Sequence, residues 1–358
     1  MDKHIAIIGA GNGGQAFAGY LSLMGKRIKI FDVVQATVDK LNEVGGVQME
    51  GNSKYIGFGK IEKASTDMKE VIDGAEVILI VLPSLYHAAM AKQMAPYLED
   101  GQVIILNPHA SLGPVEFRKV LDECNVTADV TIGCTSTLLF ACRAVEVGHV
   151  VVAGQKQHLI MSAYPSSRND ILKKIFEPII PEFEIVDDVI RASLDNINAY
   201  VHPAPTILNT GRIESQTPFE YYIDCTPAQG RYVDSLDKER MSLAEAYRLD
   251  KVKPLVEEYK DMYRTKGENM YEILSQNEDL RGIKGQTRLD TRYVLEDVPC
   301  SLVALQTLGL IAGVPTPCID AMIVVGRTLL PEMIEGRTRK NLGLENVTKE
   351  QFIAMCRG

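Results

Sequence analysis

Three groups of residues in this chain of 358 are of types and spacings that do chemistry. The first is an imidazole set among prolines, in Asn196-Ile197-Asn198-Ala199-Tyr200-Val201-His202-Pro203-Ala204-Pro205-Thr206. Apolar residues at Ile197, Val201, Leu208 and Ile213 keep roughly helical spacing here. Each proline, however, removes a backbone donor and crowds the preceding turn, costing about 3 kcal/mol in a helix interior. Pro203 also biases His202 away from regular helical geometry. Either a helix ends here and a proline-rich loop follows, or a kinked helix turns freed carbonyls and His202 toward a cleft. The second group is Arg292-Tyr293-Val294-Leu295-Glu296-Asp297, between a polar, glycine-rich loop and a long apolar helix. Asp297 in such a place is usually a cap or a surface charge. Beside His202 it would instead fix the imidazole's tautomer and favour its charged form, making a proton donor. Arg292 is suited to hold a substrate carboxylate by a two-pronged pair. Spacing along the chain leaves open whether these three residues meet.

The third group is Gly9-Ala10-Gly11-Asn12-Gly13-Gly14. It follows a short apolar strand, His4–Ile8, and opens a helical pattern through Ala16, Phe17, Tyr20 and Leu21. Strand, glycine turn and helix together give G-x-G-x-x-G its meaning as a dinucleotide site. Gly9 permits the tight turn, Gly11 lets the backbone approach a pyrophosphate, and Gly14 lets helix and strand pack closely. Asn12 and Gly13 lie on the same turn. A second strand, Arg27–Phe31, ends at Asp32, the acidic residue expected on an adenosine ribose. Val33 and Val34 follow, with no Arg or Lys to meet a 2′-phosphate. NAD (as NADH) is therefore expected in preference to NADP.

These residues need a scaffold, and the length suggests two domains. The expected fold is α/β, an N-terminal doubly wound Rossmann domain (1–187) followed by an all-helical C-terminal domain (188–358). Near-continuous apolar runs at Glu76–Val81 and Val103–Leu106 read as parallel strands covered on both faces. The first ends at Leu82-Pro83-Ser84, so Pro83 is expected at the cofactor. Further strands are expected at Val130–Gly133, Val150–Ala153 and Leu159–Ser162, with a small hairpin around Gly51-Asn52. His87 and His109, just past strand ends, read as loop or helix-start residues more readily than as ligand contacts. Beyond Asp187 helical periodicity dominates, strongly so in Val303–Ile311 and Ile319–Leu330. The cleft between two such domains is where chemistry is expected.

Composition excludes several classes. The net charge is −9, whereas nucleic-acid binding needs a basic surface. No run of apolar residues reads as a membrane span, and the first residues carry no signal-peptide pattern. Seven scattered cysteines with no C-x-x-C pair fit reduced thiols, a cytoplasmic location and no metal site. Apolar helical faces in the second half favour a homodimer.

The whole chain resembles the opine dehydrogenases of the octopine/nopaline type. The resemblance rests on Gly9–Ala18, Ile105-Leu106-Asn107-Pro108, His202-Pro203-Ala204-Pro205-Thr206, Thr217–Tyr222, Thr291-Arg292-Tyr293 through Glu296-Asp297, and Val314-Pro315-Thr316-Pro317. It implies reductive coupling of an amino acid's amino group to a 2-oxo acid, pyruvate above all. By that resemblance His202 is the acid/base residue, Asp297 its partner and Arg292 the anchor for the oxo acid's carboxylate. Asn198 and Thr206 are expected to touch substrate, and the partners are small molecules. Two rivals are a hydroxy-acid or sugar-phosphate dehydrogenase and a non-catalytic NAD sensor. The first often places a lysine on the central helix, and none lies between Asn196 and Glu214. The second has no need of a His/Asp/Arg set.

Overall fold

The computed structural model describes residues 4–263 and 265–358. Strands occur in the order β1 (His4–Ile8), β2 (Ile28–Phe31), β3 (Gly46–Gly51), β4 (Gly57–Lys60), β5 (Lys63–Ser65) and β6 (Ala75–Ile80). They continue as β7 (Val103–Leu106), β8 (Thr131–Thr135), β9 (Phe140–Glu146), β10 (His149–Gln155), β11 (Leu159–Tyr164) and β12 (Phe183–Ile185). Eight of them form one sheet in the order β12-β11-β8-β7-β6-β1-β2-β5. From β8 to β5 every pairing is parallel, while β11 runs antiparallel to β8. The chain winds from β1 to β2 on one side and from β6 to β7 on the other, which makes a doubly wound sheet. The parallel centre is apolar because helices cover both faces, and β7 is buried along its whole length. Burying each large aliphatic side chain there contributes about 1.5–3 kcal/mol.

The remaining four strands form a second sheet, β4-β3-β10-β9. The strand expected at Val150–Ala153 forms as part of β10 but does not enter the eight-stranded sheet. Instead β10 pairs with β3 of the expected hairpin and with β9. Strand β9, missed in the sequence, alternates buried Phe140 with exposed Ala141 and Arg143, the pattern of a strand with only one covered face. Helix α1 (Asn12–Leu23) lies against this sheet, with Phe17 and Phe140 edge to face at 5.0 Å.

The chain divides into two compact units. The first comprises residues up to His109, Gly113–Ala192 and Met355–Gly358, and the second Ala110–Leu112 with Ser193–Ala354. The expected break after Asp187 is thus five residues early. Buried Asp188 caps the next helix through Ile190 and Arg191 N–H and pairs with Arg357, so this turn stays with the sheet. Ala110–Leu112 joins the second unit because Ser111 O accepts from buried Arg337 (2.6 Å) and Leu112 N donates to Ser193 Oγ (2.9 Å).

The second unit is helical. Its longest regular α-helix, Pro227–Ala246, opens on a capping box between Thr226 and Gln229. Fully buried Arg240 on that helix pairs with Asp237 at 2.7 Å, donates to Leu194 O at 3.3 Å, and faces the Tyr200 ring at 5.5 Å. The region around Asn198–Val201 is therefore held from behind. A helix from Arg292 to Ala312 is long and apolar enough to cross a membrane, contrary to the sequence reading. Its apolar window is 83% buried inside the fold, as a core helix would be.

Candidate functional site

In the first unit the glycine turn is sterically obligatory at two points. A Cβ on Gly14 would stand 1.8 Å from Gly9 O, and Gly9 itself has φ +106°. Above Gly11 a Cβ would meet nothing within 4 Å, so the turn leaves open room at the start of α1. The first turn of α1, beginning at Asn12, presents backbone N–H groups with no intrahelical partner, a seat for a pyrophosphate. Gly13 is buried, with Val81 and Leu138 close over it. Asp32 ends β2, and its carboxylate accepts from Ala10 N (2.7 Å) and Val34 N (2.9 Å), which fixes its orientation beside the turn. Pro83 lies just past the end of β6 and is half-buried.

Asn12, on the glycine turn as expected, also has a structural task. Its side-chain oxygen accepts from Ala144 N (3.0 Å) and its carbonyl from Cys142 Sγ (3.4 Å), so the side chain ties α1 to β9. Its backbone N–H remains on the glycine turn, where a ligand can meet it. Gln15 makes a parallel tie, donating to Ala10 O and accepting from Gly148 N, both at 2.7 Å.

In the second unit the proline-rich stretch forms three short helices, Asn198–Val201, Pro203–Leu208 and Thr210–Glu214. Both sequence alternatives were partly right, since the helix does break at His202 but resumes at Pro203. Pro205 cannot donate to Val201 O, and the hydroxyl of Tyr221 comes to the break beside His202 O, which also accepts from Thr206 N at 3.3 Å. The hydroxyl donates to His202 O at 2.6 Å and lies 3.4 Å from Val201 O. Asn209 Nδ2 supplies Pro205 O with a further donor at 2.9 Å. The prolines thus set a break whose carbonyls are answered by side chains, and His202 stands at the break.

His202 Nδ1 lies 2.9 Å from Asp297 Oδ2, across a separation of 95 residues, and both side chains are buried. Asp297 comes between the short helix Arg292–Leu295 and a π-helical turn, Val298–Leu302, that leads into Val303–Ala312. Such turns widen a helix locally and re-aim the side chains beside them. Tyr293 stacks on the imidazole, with ring centroids 3.9 Å apart and planes 6° from parallel. The imidazole is therefore held in plane by an aromatic face and in rotation by a carboxylate. Its Nε2 engages no described residue.

Asn198 is half-buried and starts the turn that ends at His202, whose N–H donates to Asn198 O at 3.0 Å. At i and i+4 the two side chains share a face. Arg292 is exposed and, among the described residues, makes only a loose 3.7 Å approach to Glu296, so its guanidinium remains available to an incoming carboxylate. Thr206 corrects the sequence reading. It is fully buried and its hydroxyl pairs with Tyr221 Oη at 2.8 Å, so it supports the break and presents nothing to a substrate.

Three residues escaped the sequence reading. Tyr221 and Tyr293 were visible only as members of motifs, since nothing in their spacing tells an aromatic support from core. Burial pushes the Tyr221 hydroxyl well above its ordinary range, so it stays protonated and able to donate. Lys156 follows β10, and its ammonium donates to Thr137 Oγ1 at 2.8 Å. Burial alone pushes its pKa down to about 8. A cavity of about 850 Å³ also opens in the second unit, lined by Asn209, Arg212, Asp224, Gln229 and Tyr232 among others. None of the expected site residues lines it, so it is not taken as the reaction centre.

Known proteins match both parts of the chain. Residues 185–330 match the model of the NAD/NADP octopine/nopaline dehydrogenase alpha-helical domain. Residues 4–109 match the N-terminus of NAD-dependent glycerol-3-phosphate dehydrogenase. An opine dehydrogenase of Arthrobacter sp. (strain 1C) is 38% identical over 97% of this chain and 96% of its own. Octopine dehydrogenase of Mizuhopecten yessoensis is 22% identical over 90% of this chain and 89% of its own. Among solved structures, an octopine dehydrogenase described with NADH and L-arginine superposes with a TM-score of 0.83 over 98% of both chains, at 18% identity.

Proposed function

Since the chain belongs to the opine dehydrogenase family, we propose that it joins the amino group of an amino acid to pyruvate and yields an N-(1-carboxyethyl) amino acid. It is an NAD-dependent oxidoreductase acting on the CH–NH group. Pyruvate is the oxo acid named with a related octopine dehydrogenase structure, at TM-score 0.80 and 20% identity. The observation that carries the residue roles is the buried His202–Asp297 pair.

The first unit fits the cofactor: open room above Gly11, the Gly9–Gly14 contact and the fixed Asp32 carboxylate match pyrophosphate and ribose. Gly9, Gly11, Gly13, Gly14, Asp32, Pro83 and the Asn12 N–H would hold it. Bound NADH supplies the hydride that reduces the C=N carbon. Arg292 grips the carboxylate of the oxo acid through two parallel hydrogen bonds and orients its ketone. His202, protonated and held by Asp297, gives its Nε2 proton to the oxygen that develops negative charge as the neutral amine attacks; that oxygen takes its second proton from the attacking nitrogen and leaves as water, so that the C=N bond forms as the C–O bond breaks. In the reverse direction neutral His202 accepts that proton. Tyr293 keeps the imidazole in plane, and Asn198, on the same face as His202, offers its amide to the substrate.

A homodimer in the cytoplasm is part of the proposal. Val324, Val325 and Leu329 are exposed along the helix Pro317–Leu329, with Leu310 on the preceding one, and all seven cysteines are free thiols. Sedimentation of the purified chain tests the dimer. The function is tested by following NADH oxidation with pyruvate alone and then with each of a panel of amino acids, the products being weighed by mass spectrometry. Amine-dependent turnover with a product of the expected mass is the outcome predicted. Turnover with the oxo acid alone would mean a hydroxy-acid dehydrogenase, and binding without turnover a sensor.

A further inference from the structure

Asn107 closes β7, the strand beside β6 in the parallel centre of the sheet. Its N–H donates to Ile80 O at 2.9 Å, so the residue is fixed to the neighbouring strand end rather than carried on a loose loop. The side chain is fully buried, and among the described residues neither its Nδ2 nor its Oδ1 has a hydrogen-bond partner. Ser84, His87 and His109, buried at the same strand ends, each engage neighbours. A buried amide unanswered on both atoms is costly, and a leucine would fill nearly the same space without that cost. Such a residue points to a group outside the chain.

Topology indicates which group. The chain reverses direction across the sheet between β1 and β6, and a dinucleotide lies over the strands' carboxyl ends at such a switch point. Asp32, at the end of β2, serves the adenosine side. Asn107, at the end of β7, is on the opposite side, which the nicotinamide half must use. The nicotinamide ring bears a primary carboxamide, one acceptor and one donor, the same pair that Asn107 presents. Two amides face to face satisfy a donor and an acceptor of each.

We propose that Asn107 is a cofactor-reading residue, whose side-chain amide pairs with the nicotinamide carboxamide of NADH and sets the ring's orientation. This rests on NAD(H) being the cofactor. The pairing gives the fold a reason to keep a polar group where an apolar one would pack as well. It also requires discrimination among dinucleotides that differ only in the ring substituent.

The test is a binding cycle read by calorimetry on the full chain. NADH is compared with reduced 3-acetylpyridine adenine dinucleotide, which keeps the carbonyl and lacks the NH₂ donor. The parent chain should bind NADH on the order of tenfold more tightly than the analogue, the worth of one hydrogen bond plus one amide atom left unpaired. Asn107→Leu should bind the two about equally, so that the two losses are not additive. Its melting temperature without cofactor should be at or above that of the parent, because an unanswered amide has been removed. If that variant does not fold, Asn107→Ala is read in the same cycle. A variant that keeps the parent's discrimination overturns the assignment, and so does one that loses affinity equally for both dinucleotides. A marked fall in melting temperature also overturns it, by showing that the amide serves the fold. Failure of the parent to bind NADH would overturn the cofactor assignment along with it.

Discussion

If Asp297 acts only through its contact with His202, it should have no work left once the imidazole is removed. The two groups are 2.9 Å apart, with side chains 8% and 7% exposed. At an effective dielectric of ~20, opposite charges at that separation attract by about 6 kcal/mol. Desolvation of both groups takes back part of this. A net loss of roughly 3–5.5 kcal/mol corresponds to a fall in kcat on the order of 10²–10⁴, the range of a positioned acid/base. Asp297→Asn and His202→Ala should each fall in that range, measured as initial rates of NADH oxidation at saturating pyruvate and amine. The double variant should be little slower than His202→Ala, because residues that act as a unit are strongly non-additive. The dissociation constant for NADH should stay near the parent value in all three, since the glycine turn and Asp32 belong to the other compact unit. Rates that multiply in the double variant would refute the coupling. A joint loss of NADH affinity and thermal stability would reduce Asp297 to a support for the helix.

Four further outcomes are expected. Arg292→Lys keeps the charge but not the fork, so the pyruvate KM should rise strongly while the amine's KM at saturating pyruvate changes little; equal losses would indicate a general structural role. Asp32→Ser should narrow the preference for NADH over NADPH, and a parent chain that uses NADPH at least as well would refute the placement of Asp32. Tyr221→Phe strips the hydroxyl donor from His202 O, leaving it the Thr206 N–H, and removes the Thr206 hydroxyl's partner, and it should cost about 1–3 kcal/mol in chemical denaturation, with kcat falling more than KM changes; unchanged stability would show that the break at His202 needs no such donor. For Lys156, the folded pKa of about 8 lies below the ordinary 10.5, so between those values the unfolded chain binds the proton and the fold does not. Stability from this group therefore rises with pH through that window. Lys156→Met should raise the melting temperature at pH 7, and its gain over the parent should shrink toward pH 10.5. A gain equal at both pH values would remove burial as the cause.

The residues most legible in the sequence were those whose chemistry is incompatible with their surroundings. Glycines at 9, 11 and 14 stand between a strand and a helix, and the structure gives Gly14 no room for a Cβ. Prolines at 203 and 205 sit in a helical pattern and do break it at His202. Residues that merely complete an environment were illegible. Tyr221 and Tyr293 look like core aromatics, and only a fold that brings 221 and 293 to 202 distinguishes them. Strands β5 and β12, three residues each, are too short for a period to register. Assignment of β10 to the second sheet depends on its pairing with β3, about a hundred residues earlier, and no local pattern reports that. Thr206 was misread for a related reason: position in a functional motif says nothing about which way a hydroxyl points.

The ties from Asn12 and Gln15 bear on how cofactor use in this chain can be re-engineered. The stretch that matches glycerol-3-phosphate dehydrogenase ends at residue 109, which invites treating it as a cassette to be exchanged for one of different cofactor preference. The braces of the glycine helix come from outside that stretch, Ala144 N on Asn12 and Gly148 N on Gln15. A graft limited to residues 4–109 would set a foreign helix against residues 140–155 shaped for this one, and would leave those two N–H groups without their acceptors. The exchangeable module therefore has to include β9 and β10 together with the glycine turn.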